Sequence, residues 1–209
     1  MSQTRKSLGF DRRQFFLKAL PACSLMCFGG STISAASLLG EKPWLPQEKH
    51  KFDEAYNGNL THRQFYLNRY AEAIDLADAL LKEFGRRRVL KFLKKTTQEK
   101  MLAYGQRHAE RSPDNSFQSY VNTFRSPMYE PTLSMEIVED TEKAFELKVS
   151  ECIWSETFLA KEAGEIGYAL VCYGDYAWAE GFNPKIEMVR DKTLMQGHDC
   201  CNHRYLWKG

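Results

Sequence analysis

Two long stretches of the chain carry apolar residues at the spacing of an amphipathic helix. From Thr61 to Phe84 the apolar side chains recur about every 3.6 positions, and Gly85 ends the run. A second stretch of the same kind follows from about Arg86 to Ala109. Threonine is typical of a helix N-cap and glycine of a helix end. The pattern therefore predicts a helical hairpin joined at Gly85.

The second half of the chain alternates apolar and polar residues instead. Leu133–Val138 and Ala144–Ser150 alternate in this way around a short polar turn, which predicts a β-hairpin with one buried face. A third helix is expected from a cap at Ser155 to about Val171. Lys185–Arg190 and Cys201–Trp207 are then predicted as two further strands.

This order of elements predicts an α+β fold. A helical hairpin is followed by β-β-α-β-β, so we expect an antiparallel sheet that is covered by helices. We expect residues 60–209 to form this single domain and residues 37–59, which contain two prolines and an Asn-Gly-Asn run, to be a linker.

The amino terminus has the features of an export signal. Arg12-Arg13 precede an apolar run, and Ser34-Ala35-Ala36 offers the small residues of a cleavage site. Residues 1–36 therefore resemble a twin-arginine signal segment. On this interpretation the twin-arginine export machinery is a partner of the protein. The expected location is the periplasm or another extracytoplasmic compartment. The alternative is that Phe15–Leu39 stays uncleaved as an anchor, which would be the protein's one link to a membrane.

The charge is uneven along the chain. The formal net charge of the whole chain is +2, but residues 1–36 hold five basic residues and one acidic residue, so residues 37–209 carry −2. A nearly neutral domain has no global field to attract a polyanion. Nucleic-acid binding is therefore not expected.

Candidate chemistry is concentrated near the carboxyl terminus. Outside the signal the cysteines are Cys152, Cys172, Cys200 and Cys201, and all lie within the last 60 residues. Cys172 and Asp175 stand three residues apart at the end of the predicted third helix. A thiolate is a strong nucleophile and a carboxylate can carry a proton, so this pair can do chemistry together.

Two other interpretations of the cysteines remain open. Cys201 and His203 share one face of a strand, so they could join Cys172, with His198 as a further candidate, in an open metal site of the kind that catalytic zinc prefers. No cofactor is required by the sequence; a divalent metal such as zinc is the candidate. Alternatively the four cysteines form one or two disulfides without any chemistry.

A set of motifs in the same region resembles a known family. The motifs are Cys152-Ile153-Trp154-Ser155-Glu156, Gly167-Tyr168-Ala169-Leu170-Val171-Cys172 with Asp175, Phe182-Asn183-Pro184-Lys185, Arg190-Asp191-Lys192-Thr193-Leu194-Met195-Gln196-Gly197 and Cys201-Asn202-His203-Arg204. In order and spacing they resemble the L-2-amino-thiazoline-4-carboxylic acid hydrolase family. The resemblance covers roughly residues 60–209 in layout, and its specific part is the last 60 residues.

The resemblance implies a hydrolase that opens a small cyclic amidine, a thiazoline, to a carbamoyl-cysteine by cleaving a C–N or C–S bond. It carries over most directly to Cys172, Asp175, Gly197 and Cys201. Cys200 beside Cys201, and His198 after Gly197, depart from the family's pattern.

Such a ring opening requires a nucleophile and a proton for the leaving atom. We assign Cys172 as the nucleophile, Asp175 as the proton carrier, and Cys201 with His203 as second thiol and general acid/base. We assign Arg190, Arg204 and Gly197 to substrate binding. Either arginine could hold the substrate carboxylate by a bidentate pair of hydrogen bonds. Of the tryptophans, Trp154, Trp178 and Trp207 are interpreted as core or pocket lining.

Two alternative functions compete with the hydrolase. One is an exported metal-binding or sensor protein that uses the thiols and histidines to hold a soft metal or another thiophilic ligand. The other is chemistry similar to that of organomercurial lyases, which also use a Cys-xx-Asp pair and a distant second cysteine.

Overall fold

The structure is a computed structural model, and it describes residues 50–209. The predicted signal in residues 1–36, the alternative anchor Phe15–Leu39 and the first part of the predicted linker lie outside the described residues. No helix within residues 50–209 is both long and apolar enough to cross a membrane.

The two predicted amphipathic helices are present. Helix α1 spans His62–Phe84 and helix α2 spans Arg86–Arg111. Thr61 caps α1, because the Gln64 N–H donates to Thr61 Oγ1 at 3.2 Å while the Thr61 N–H donates to Gln64 Oε1 at 3.0 Å. Gly85 separates the helices with φ 85°, a left-handed value that favours glycine. The prediction of two helices meeting at this glycine is confirmed.

The end of the predicted linker is folded onto the domain. Lys51–Asp53 form a 3₁₀ turn, and strands β1 (Ala55–Asn57) and β2 (Leu60–Thr61) pair as a small antiparallel hairpin. Phe52 has no exposed surface, and Arg63 of α1 donates to Asp53 at 2.8 Å. This segment therefore has both tertiary contacts and secondary structure of its own.

A four-stranded antiparallel sheet forms the other half of the fold. Its strands are β3 (Leu133–Asp140), β4 (Ala144–Cys152), β5 (Ile186–Val189) and β6 (Cys201–Trp207), in the spatial order β3-β4-β6-β5. The predicted α+β class and the antiparallel sheet are confirmed.

The register of the two central strands sets the inner face of the sheet. Along β4, Phe145, Leu147 and Val149 are buried, and they pair in turn with Tyr205, His203 and Cys201 of β6. Since side chains alternate between faces along a strand, these six residues share one face.

The predicted helix from Ser155 to Val171 is wrong, because the chain is helical in several short pieces. The pieces are α4 (Ile153–Leu159), α5 (Gly164–Gly167), a π-helical turn (Tyr168–Cys172) and α6 (Gly174–Phe182). Ser155 is not a cap, since its hydroxyl lies inside α4 and donates to the Cys152 carbonyl at 2.8 Å. A further short helix, α3 (Phe117–Asn122), lies between α2 and the sheet in the chain.

The break after α4 has a local cause. Glu162 adopts a left-handed φ of 54°, and the Ala163 N–H donates back to the Phe158 carbonyl at 2.9 Å. This is the geometry that closes a helix, and it is usually formed around a glycine. A glutamate at that position gives the sequence no visible stop signal.

Helices α2 and α6 cross very closely, and this crossing is the most extensive contact between two elements. A Cβ on Gly105 of α2 would lie 2.7 Å from the Phe182 nitrogen, and one on Gly181 of α6 would overlap the Leu102 carbonyl oxygen. The obstructing atoms belong to backbone, so neither helix can give way without moving as a whole. The two glycines therefore set the distance between the helices.

We expect Gly181→Ala to lower the free energy of unfolding by about 2–4 kcal/mol, because the added methyl group forces the two helices apart. Urea denaturation followed by circular dichroism measures the change. The matched control is Glu180→Ala at the neighbouring exposed position, where we expect a change within about 0.5 kcal/mol. Equal stability of the two variants would contradict the close crossing.

Candidate functional site

A cavity of about 170 Å³ lies between the inner face of the sheet and the segment from the π-helical turn to α6. Its walls are mostly apolar and rich in aromatic rings. The apolar lining residues are Phe124, Leu133, Met135, Leu147, Val149, Trp154, Val171, Trp178 and Tyr205. The volume is close to that of an engineered cavity of about 150 Å³ that accommodates benzene. The space suits one small ring.

Five of the residues singled out in the sequence meet in this cavity. Cys172, Asp175, Arg190, Cys201 and His203 all line it, together with a further thiol that belongs to the last residue of β4. Cys201 and His203 lie on the same face of β6 because strand side chains alternate. The π-helical turn supplies Cys172, and the first turn of α6 supplies Asp175. Four separate motifs of the chain thus converge on one space.

Three other predicted residues lie outside the cavity lining. Arg204 is on the opposite face of β6, where it pairs with Glu139 at 2.8 Å and with Glu146 at 3.5 Å. Of the two arginines assigned to the substrate, Arg190 lines the cavity and Arg204 does not. Gly197 ends the 3₁₀ turn Leu194–Gln196, and His198 is exposed.

Arg190 is the centre of the polar groups in the cavity. Its side chain is only 2% exposed, and Nη1 donates to Asp175 Oδ2 at 2.7 Å. The same nitrogen lies 3.2 Å from His203 Nε2, and Nη2 donates to the Cys172 carbonyl at 2.8 Å. The guanidinium also lies over the rings of Tyr168 and Tyr176. One side chain thus links β6, the π-helical turn and α6.

Burial and charge oppose each other at the Asp175–Arg190 pair. Burial raises the pKa of Asp175, and the adjacent guanidinium opposes that rise without cancelling it. Burial alone would lower the pKa of Arg190, but its carboxylate partner outweighs burial and the net shift is upward. Asp175 keeps about a quarter of its side-chain surface accessible, and it lines the cavity. A carboxyl group with a raised pKa that faces a cavity is suited to carry a proton.

His203 is a neutral hydrogen-bond acceptor. Burial, and then the positive charge of Arg190, lowers its pKa to about 3. An arginine can only donate, so His203 Nε2 accepts the hydrogen bond and the ring proton is on Nδ1. His203 is therefore uncharged near neutral pH, and it is not a source of a proton from an imidazolium.

The thiols differ in their surroundings. Burial, followed by the charge of Asp175, raises the pKa of Cys172 well above its ordinary value. Burial raises the pKa of Cys152 to about 11. Burial also raises the pKa of Cys201, but the Leu194 N–H donates to its sulfur at 3.2 Å and opposes that rise. Of Cys172 and Cys201, it is Cys201 whose sulfur accepts a hydrogen bond from a backbone N–H, which supports a thiolate.

The cysteines of the described region are free thiols. Cys152, Cys172, Cys200 and Cys201 form no disulfide, although Cys200 and Cys201 are adjacent in the chain. The disulfide alternative is thus not what the structure contains. Within residues 50–209 there is also no group of three or more His, Cys, Asp or Glu side chains arranged to hold a metal ion.

Several lining residues had no role in the sequence-based site. Phe124 and Tyr205 are examples, and the alternation of β6 could have identified Tyr205 because it shares the face of Cys201 and His203. The expectation that the tryptophans belong to the core or line a pocket agrees with the structure. Trp154 and Trp178 line the cavity, and Trp207 packs against the core and stacks on Phe117.

Comparisons with known proteins bear on this site. Residues 62–205 match the sequence profile of a family described as L-2-amino-thiazoline-4-carboxylic acid hydrolase. A search of curated proteins finds no match. Among solved structures, the chain is similar to the phenol-responsive sensory domain of the transcription activator PoxR, crystallised with phenol. The identity is 13%, the alignment covers 66% of this chain and 73% of that chain, and the TM-score is 0.41.

We expect His203→Gln to flatten the acid side of the stability profile. In the unfolded chain His203 takes up a proton below its ordinary pKa of 6.5, whereas in the folded protein it stays neutral down to about 3. Acidification therefore favours the unfolded state of the wild type, and a glutamine removes this effect while it can still accept from Arg190. Between pH 6.5 and about 4 the variant should lose about 3 kcal/mol less unfolding free energy than the wild type.

Denaturant unfolding across this pH range measures the difference. The control is Gln106→Ala at an exposed position without a titratable group, which should follow the wild-type profile. Parallel profiles for the wild type and His203→Gln would show that His203 is not held neutral.

Proposed function

The chain belongs to the L-2-amino-thiazoline-4-carboxylic acid hydrolase family, and from this premise we propose that it hydrolyses a small cyclic amidine in the cavity. The observation that carries the proposal is that one cavity is lined by Cys172, Asp175, Arg190, Cys201 and His203. Every residue of the cavity lining also falls within the region that matches the family.

The size and chemistry of the cavity suit such a substrate. A five-membered thiazoline ring with an exocyclic nitrogen and a carboxylate is compatible with about 170 Å³ of space. Its amidine N–H groups can donate to Asp175, and its carboxylate can accept from Arg190. The acidic Asp175 then pairs with the amidine of the substrate, and the basic Arg190 pairs with its carboxylate.

We propose Asp175 as the proton carrier. Its raised pKa keeps the protonated form accessible closer to neutral pH than that of an ordinary carboxyl group. Arg190 holds one carboxylate oxygen, and His203 accepts from the same guanidinium nitrogen. In this proposal His203 orients Arg190 as a neutral acceptor, which replaces the general acid/base role expected from the sequence.

We propose Cys201 as the attacking thiol, with Cys172 as the second thiol, which reverses the assignment made from sequence. The Leu194 N–H supports a thiolate on Cys201, whereas the charge of Asp175 disfavours one on Cys172. Hydrogen bonds to the charged form favour it, and a neighbouring like charge disfavours it.

The reaction then proceeds in two stages. Asp175 takes the thiol proton as the Cys201 sulfur bonds to the amidine carbon, and Asp175 passes this proton to the ring nitrogen. The bond between the amidine carbon and the ring sulfur breaks, and the sulfur leaves with the electron pair and takes a proton from the exocyclic nitrogen. Water then adds its oxygen to the carbon and gives one proton to that nitrogen. The bond between the carbon and the Cys201 sulfur breaks as the carbonyl forms, the sulfur takes the second proton of the water, and the carbamoyl product is released.

We expect purified protein to open an aminothiazoline carboxylate and Cys201→Ala to lower the rate by more than about 10³-fold, as loss of a nucleophile does. Cys172→Ala is the matched control, a second cavity thiol, and should lower the rate by less than about tenfold. Cleavage of the C–S bond releases a new thiol, which a thiol reagent detects, while C–N cleavage releases an amine without a thiol. Full activity in both alanine variants would exclude attack by either Cys201 or Cys172.

We expect Asp175→Asn to lower kcat by about 10²- to 10⁴-fold, the usual contribution of an acid–base group, because an amide cannot relay the proton. Rate measurements on variant and wild type, with folding checked by circular dichroism, test this role. The asparagine still accepts a hydrogen bond from Arg190, so the variant keeps that contact. A rate equal to that of the wild type would remove Asp175 from the reaction.

A second candidate function is the binding of a small molecule without turnover, as in a sensor. The observation that favours it is that the charged groups are already paired with each other inside mostly apolar walls. Saturable binding of the same aminothiazoline, with the ligand recovered unchanged, would support this function over hydrolysis.

A further inference from the structure

Trp178 forms a wall of the cavity next to the proton carrier. It lies on α6 three residues after Asp175, so the two side chains project from the same side of the helix, and both line the cavity. Phe124 and Tyr205 contribute further aromatic surface. A ligand whose donor groups meet Asp175 therefore has the indole of Trp178 beside it.

The indole is held in place from outside the cavity. Trp178 Nε1–H donates to His108 Nδ1 at 3.2 Å, and His108 belongs to α2 and does not line the cavity. The other ring nitrogen of His108 lies 3.5 Å from Thr123 Oγ1. Because Nδ1 accepts from the indole, the imidazole proton is on Nε2, which faces that hydroxyl.

The surroundings reinforce this arrangement. The Trp178 ring meets the edge of Tyr104 at 5.8 Å and that of Tyr120 at 5.6 Å between centroids, and the His108 ring meets Phe182 edge-on at 4.9 Å. The close crossing of α2 and α6 fixes the backbone beneath both residues. The indole thus has a defined orientation before any ligand arrives.

We propose that His108 is a positioning residue that fixes Trp178 as the stacking wall for the ring of the ligand, so that the site prefers monocyclic amidines with a flat or nearly flat unsaturated ring over those with a fully saturated, puckered ring. The inference rests on the proposed function for the amidine group that meets Asp175. A flat ring can lie against a flat indole over its whole area, whereas a saturated ring touches it only through protruding hydrogens. The cavity also has room for only one ring.

Two amidines that differ only in the ring test the proposal. Benzamidine is planar and cyclohexanecarboxamidine is puckered, and calorimetry on the full chain gives both affinities. We expect the wild type to bind benzamidine about five- to tenfold more tightly, the range that aromatic stacking provides. Equal affinity for the two amidines, or no binding of either, would overturn the proposal.

Variants of His108 test the positioning role. In His108→Leu the indole N–H loses its acceptor, and we expect the preference for benzamidine to fall below about twofold while the affinity for cyclohexanecarboxamidine changes little. His108→Gln restores an acceptor and should restore the preference, which a purely packing role would not do. Unchanged preference in His108→Leu would overturn the proposal, and so would a lost preference in His108→Gln when that variant is folded by circular dichroism.

Tyr104→Leu is the matched control, because Tyr104 lies one turn earlier on α2 and touches the Trp178 ring without accepting its hydrogen bond. We expect it to keep the planar preference, and loss of the preference there would assign the effect to general packing and overturn the role of His108. Planar preference without turnover would leave this inference standing and remove the hydrolase. Turnover without planar preference would leave the proposed hydrolysis standing and overturn this inference.

Discussion

The buried guanidinium of Arg190 is the interaction on which the site depends. It connects three elements that are distant in sequence, through Asp175 of α6, the Cys172 carbonyl of the π-helical turn and His203 of β6. A buried charge without its partner costs several kcal/mol, so these contacts have to form together. The π-helical turn takes part in the same set of contacts. The Tyr173 N–H donates to the Tyr168 carbonyl five residues earlier, and the Cys172 carbonyl in the turn accepts from Arg190. Turns of this kind are frequent at functional sites.

The same interaction determines the electrostatic character of the cavity. Because Arg190 and Asp175 neutralise each other, and His203 stays uncharged, the cavity has polar groups but no net charge. A ligand with one positive and one negative group can exchange partners with both members of such a pair. The apolar walls strengthen these contacts, since electrostatic interactions are stronger where water is excluded.

The parts of the site that follow a local period could be predicted from the sequence. Cys201 and His203 share a face because strand side chains alternate, and the same period puts Arg204 on the other face, which the sequence analysis did not use. The parts that depend on tertiary contacts could not be predicted. The chain turns away after α4 because Glu162 adopts a left-handed conformation. The Cys201 sulfur accepts its hydrogen bond from the N–H of Leu194, seven residues earlier. Neither leaves a pattern in composition or spacing.

Gly197 shows how a residue outside the cavity can still act on its chemistry. Its φ of 87° is left-handed, and a side chain there would meet no other atom, so the backbone conformation alone requires glycine. Its N–H donates to the Leu194 carbonyl at 2.9 Å and closes the 3₁₀ turn, while the Leu194 N–H at the start of that turn donates to Cys201 Sγ. The step of four residues from Gly197 to Cys201 therefore spans the chain from the end of this turn to the thiol. Part of the difference between Cys172 and Cys201 arises from this turn, because Cys201 receives its backbone hydrogen bond from the turn.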